Sequence, residues 1–117
     1  MKIKDYKELK IWQKGIEVTD RVYRVTRSFP QDELYGLTSQ MRRAAVSIPS
    51  NIAEGFARQH RKEYIQFLFT ALGSCAELET QSIIAERQHY LIRMDKEELV
   101  EALNHQARKT MNLIKSL

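Results

Sequence analysis

Three groups of side chains have types and spacing that could do chemistry. The first is cationic: Arg42-Arg43 and, further along, Arg58-Gln59-His60-Arg61-Lys62. Clustered guanidinium and ammonium groups take phosphate oxygens through charge-assisted hydrogen bonds and release counter-ions from a nucleic-acid strand. Arg42, Arg43, Arg58, His60, Arg61 and Lys62 are therefore the candidate nucleic-acid contacts, set against the plainer reading of a solvated basic face. The second group is acidic. Glu54, Glu77 and Glu79 could pair with Arg42 or Arg43 inside a bundle or at a subunit contact, where breaking a buried pair is costly. The same Glu and Arg residues are what a competing, enzymatic reading would have to use.

The third group concerns metals and nucleophiles. Carboxylate di-metal bundles need two Glu-x-x-His pairs plus two further Glu on facing helices. Only Glu86-Arg87-Gln88-His89 has that spacing, and Glu101 with His105 lacks companions. Cys75 has no cation beside it in sequence and reads as a packed thiol rather than a nucleophile. There is no glycine-rich phosphate loop and no Gly-x-Ser-x-Gly elbow. An arginine followed by four residues and a histidine, as in one class of helical ribonucleases, is also missing, since positions 55, 84 and 100 are Gly55, Ile84 and Val100. The expectation is a protein with no catalytic residue, no metal, no cofactor and no small-molecule substrate.

The elements that must position these groups are helical. Leu9, Trp12, Ile16, Thr19, Tyr23 and Thr26 recur at spacings of three and four, which predicts a helix from about Tyr6 to Ser28. Ile11, Gly15, Val18, Val22 and Val25 form a second, adjacent stripe, broader than one partner helix requires. A second helix starts near Asp32 and carries Leu34, Leu37, Met41, Ala44 or Ala45, Ile48 and Ile52. Pro49 inside it predicts a kink or short break, with Asn51 and Glu54 at capping-box spacing and Gly55 as the stop. A third helix, about Arg61 to Gln88, keeps Tyr64, Leu68, Ala71, Cys75, Leu78, Ser82 and Ala85 on one seam. Its middle, Thr70 to Ala76, is small nearly all round. A fourth runs from about Lys96 to Ser116 behind an Asp95 cap, with Leu99, Leu103, Ala107, Thr110 or Met111, Ile114 and Leu117 inward. Short links favour an all-α, antiparallel up-down four-helix bundle, one domain over 1–117.

The central run Leu34-Tyr35-Gly36-Leu37-Thr38-Ser39-Gln40-Met41-Arg42-Arg43-Ala44-Ala45-Val46-Ser47-Ile48-Pro49-Ser50-Asn51-Ile52-Ala53-Glu54-Gly55 resembles the hallmark of the four-helix-bundle protein family, also called 23S ribosomal RNA intervening-sequence proteins. Leu9-Lys10-Ile11-Trp12-Gln13, Ala71-Leu72-Gly73-Ser74 and Glu77-Leu78-Glu79-Thr80-Gln81 resemble its other blocks. The resemblance implies a bacterial homopentamer, encoded in some members within insertions in 23S ribosomal RNA genes. It also implies a distant likeness to the accessory variability determinant of diversity-generating retroelements, a basic pentamer that works with a reverse transcriptase and RNA. The family has no established enzymatic activity. Gln59-His60 departs from it, standing where members often have Ser or Thr ahead of the third helix.

Composition bounds the rest. Among 117 residues there are 19 Lys and Arg against 15 Asp and Glu, a net charge of +4. Residues 1–30 carry eight basic and four acidic side chains, whereas residues 63–91 carry one and four. One cysteine excludes an intrachain disulfide and fits a reducing compartment. The longest uncharged run, Tyr64 to Ala76, is too short and too polar to span a bilayer. A soluble, cytoplasmic protein is expected. Its partners are expected to be further copies of itself, through Ile11, Gly15, Val18 and Val22 of the first helix and Thr70, Gly73 and Ser74 of the third, and RNA. A protein-interaction adaptor is the alternative.

Overall fold

The computed structural model describes residues 2–117. Among the described residues there are four α-helices: α1 (Lys10–Thr26), α2 (Ser39–Ala57), α3 (Arg61–Arg87) and α4 (Arg93–Ser116). Each neighbour runs antiparallel to the last. Thr19 faces Ala45 and Thr26 faces Arg42 across α1 and α2. Ser47 faces Ser74 across α2 and α3, and Glu86 meets Lys96 across α3 and α4. Ile11 meets Gln106, and Arg21 meets Glu98, where α4 closes back on α1. The result is the expected up-down bundle, about 45 Å long. Its centre is Val22, Met41, Ile48, Ile52, Leu68, Leu78, Leu99 and Leu103, all at most 1% exposed.

The α3 seam lies where its spacing placed it, with Leu68, Ala71, Cys75, Leu78, Ser82 and Ala85 buried. The first helix corrects the expectation. Its buried face is Ile11, Gly15, Val18, Val22 and Thr26, while Ile16 and Tyr23 reach solvent. Two apolar stripes gave periodicity no means of choosing. Close packing makes the choice: a Cβ on Gly15 would sit 3.2 Å from the Pro49 side chain, so the missing side chain lets α1 lie against α2.

Pro49 does not break α2, which continues through it to Ala57. Proline has no N–H for the Ala45 carbonyl. The Thr19 hydroxyl, 3.1 Å away on α1, is placed to donate to that oxygen, although it is also 2.8 Å from the Gly15 carbonyl. Asn51 caps nothing; its Nδ2 donates to the Ser47 carbonyl and hydroxyl within the helix. Gly55 is no stop either: it lies inside the last turn of α2, which runs on to Ala57, and is buried against Phe67 and Tyr64.

The irregular backbone lies upstream instead. A short turn, Gln31–Glu33, leads into a wide π turn, Leu34–Thr38, whose Gly36 is non-helical at φ −116°, ψ −113°. Glu33 fastens this turn, accepting from the Leu37 N–H and from the Tyr90 hydroxyl, both at 3.0 Å. Helix α4 starts at Arg93, so Asp95 sits inside its first turn rather than capping it.

Candidate nucleic-acid interface

The basic residues picked out by sequence do not form one surface. Arg42 and Arg43 lie near the start of α2, and Arg58 to Lys62 lie at its far end. Sixteen residues of helix at 1.5 Å each separate Arg42 from Arg58, about 24 Å. Arg42 is half-buried: its Nε donates to Thr26 Oγ1 at 2.9 Å and its guanidinium lies 4.7 Å from the centre of the Tyr23 ring. Arg58 is held by Glu54 at 3.1 Å and Glu63 at 3.4 Å. It also lies over the Phe67 ring. His60, Arg61 and Lys62 are exposed, and among the described residues none of the three has an acidic partner.

The expected ion pair between Arg42 or Arg43 and Glu54, Glu77 or Glu79 is absent among the described residues. Arg42 has a hydroxyl and an aromatic ring as partners, and its half-buried position leaves it open to solvent in place of a buried carboxylate. Glu54 faces Arg58 instead, and Glu77 accepts from Gln81 Nε2 at 3.4 Å. With Ser47 opposite Ser74, Glu77 stands level with Ala44, about 15 Å along the axis from Glu54. Within one chain, the three acids therefore share no site with the arginines; a pairing at a subunit contact is a matter between copies. Among the described residues, no three His, Cys, Asp or Glu side chains converge as metal ligands. Burial, aided by Glu79, pushes the Cys75 thiol up to about 12, so it stays protonated.

The assigned self-contact is also redrawn. Ile11, Gly15, Val18 and Val22 belong to the chain's own core, and Ser74 is buried with its hydroxyl 2.8 Å from that of Ser47. Thr70 and Gly73 do face outward, and nothing lies within 4 Å of a Cβ built on Gly73.

What the fold assembles, and sequence reading missed, is a basic end. The N-terminal segment is fixed by a capping box: Asp5 accepts from the Lys7 N–H, and Glu8 accepts from the Asp5 N–H. Gln13 Nε2 donates to the Lys7 carbonyl at 2.8 Å, and Tyr6 packs edge-on against Trp12. Lys2, Lys4 and Lys7 are thereby set beside Phe56, Ala57 and Gln59 along one groove. Gln59 adopts a left-handed φ of 60°, reversing the chain so that His60, Arg61 and Lys62 follow directly. Antiparallel stacking brings residues 2–17, 49–73 and 105–117 to this half of the long axis; they hold eleven basic and five acidic side chains. The other half, residues 18–48 and 74–104, holds eight and ten. Summing charge by half-helix rather than along the chain would have exposed this.

These features define an antiparallel four-helix bundle with unlike electrostatic ends. The chain matches the 23S rRNA-intervening sequence protein family over residues 7–115, and it belongs to that family. A solved structure from Bacteroides thetaiotaomicron, described as a protein with unknown function from the S23 ribosomal protein family, superposes with a TM-score of 0.83. It is 23% identical and covers 90% of this chain and 95% of its own, a likeness of fold. No curated protein matches. Neither description names an enzymatic activity. Among the described residues, no helix is long and apolar enough to cross a membrane.

Proposed function

We propose that this chain is a non-enzymatic, cytoplasmic accessory protein that assembles as a homopentamer and holds RNA at its basic end. The observation that carries the RNA reading is the charge excess of one half of the bundle, six basic over acidic side chains against two acidic over basic in the other. Lys2, Lys4, Lys7, His60, Arg61 and Lys62 are its exposed donors. Arg58 supports them less, because two carboxylates already occupy its guanidinium. The family's description mentions a 23S rRNA intervening sequence, which makes RNA the polyanion to test first. Repeating one modest patch around an assembly raises the effective concentration of each further contact. The five-fold count is taken from the family resemblance.

The test is fluorescence anisotropy of a labelled mixed-sequence RNA titrated with protein at several salt concentrations. Each phosphate neutralised on a single strand adds about 0.7 to the negative log–log slope. A steep slope that flattens in an Arg61→Gln, Lys62→Gln variant is expected. Binding indifferent to salt and to these substitutions contradicts the reading.

A further inference from the structure

We propose that the groove between α1 and α2 around Arg43 receives the exposed outer face of α3 from a second copy of this chain. The inference rests on the self-association reading above and specifies its contact. The groove, about 470 Å³, is lined by Tyr23, Leu34, Tyr35, Arg42, Arg43 and Val46 together with Thr38 and Ser39. Its surroundings are apolar with two guanidinium groups, and no acidic side chain lines it. Tyr35, carried outward on the π turn, is 93% exposed, and Val46 is 41% exposed. An occupant should therefore bring aliphatic side chains with carboxylates beside them.

The outer face of α3 has that chemistry. Phe69, Ile83 and Ile84 are 50%, 42% and 43% exposed. Gly73, Ala76 and Thr80 lie between them at helical spacing, all exposed. Glu77 and Glu79 flank the strip, and among the described residues neither forms an ion pair with a cation. A helix apolar on its outer as well as its inner side is one that another element covers. Open space over Gly73 fits the same reading, because glycine inside a helix costs stability without an internal packing reason here. The α3 face and the α1/α2 groove are both exposed in the single chain, so they can meet only between copies. The contact is head-to-tail, the kind that closes into a ring when the rotation permits.

Mixed-copy cross-linking tests this in a Cys75→Ala background. A Val46→Cys protein and an Ile84→Cys protein are combined, oxidised and sized. Cross-linked dimers containing one of each are expected, with few from either protein alone. Charge exchange supplies the second arm: Arg43→Glu and Glu77→Arg should each lower the light-scattering mass towards the 13.8 kDa monomer. Their combination should restore it. All four positions are solvent-facing, and circular dichroism checks the fold of each variant. A monomeric wild type overturns both this contact and the self-association reading. An assembled wild type whose Val46→Cys and Ile84→Cys variants do not link to each other overturns the contact alone, as does linking between two copies of the Val46→Cys variant. So does an Arg43→Glu protein that keeps its mass and loses only RNA binding, which would make RNA the occupant.

Discussion

At the scale of residues, the bundle is held in register by polar groups that serve neighbouring helices. The Thr19 hydroxyl stands between the Gly15 carbonyl of its own helix, at 2.8 Å, and the Ala45 carbonyl that Pro49 leaves without a donor, at 3.1 Å. Gln106 Nε2 reaches the Ile11 carbonyl at 2.8 Å from a fully buried position. His105, in the groove between α1 and α4, is the group most able to report on pH. Desolvation lowers its pKa, with Lys14, Arg108 and Lys109 adding repulsion of the charged form; Glu17, Arg21 and Glu101 line the same grooves. The folded chain therefore resists a proton that the unfolded chain accepts near the ordinary histidine value of 6.5. Its contribution is neutral above that value and becomes destabilising as pH falls through it. Urea midpoints should decline on acidification from about pH 7.5 to 5, and His105→Gln should flatten the decline. An unchanged pH profile in that variant would remove His105 from the account. Little of this was legible in sequence: a lone Gln between His105 and Ala107 gives no sign that it faces inward.

At the scale of elements, glycine and small residues decide which faces meet. The α3 seam was legible because one clear period of buried residues had no rival. The α1 face was not, since Leu9-Trp12-Ile16 and Ile11-Gly15-Val18 are both apolar, and only the close approach of Gly15 to Pro49 separates them. The same physics relocates Gly55 from a stop signal to a contact. A Cβ there would stand 2.7 Å from Phe67 Cβ, an atom fixed to the α3 backbone, and 3.2 Å from the Tyr64 ring. Gly55→Ala should force α2 and α3 apart and cost about 1–3 kcal/mol despite alanine's better helix propensity. Chemical denaturation checks it; a stabilised variant would mean that α3 yields easily. Gly73→Ala has no such neighbour within the chain, so a loss of assembly there without loss of monomer stability would point to an external partner.

For the whole molecule, topology turns a modest charge excess into a dipole. The gradient along the sequence placed the cationic residues in the first two helices and the acids in the third. Antiparallel folding instead sorts them by end, adding Lys2, Lys4 and Lys7 to the loop at Arg61 and setting Arg42 and Arg43 apart from it. The bundle itself was legible from helical periods, short links and the family's motifs. The site was legible only in part, because which cations share a surface depends on how four helices return past one another. Equal charge losses at the two ends separate a basic-end site from attraction by net charge. One variant carries Lys4→Gln, Lys7→Gln, Arg61→Gln and Lys62→Gln; the other carries Arg24→Gln, Arg27→Gln, Arg87→Gln and Arg93→Gln. RNA affinity and its salt slope should fall sharply in the first and little in the second. Equal losses in both would contradict a basic-end site and leave only non-specific attraction by net charge.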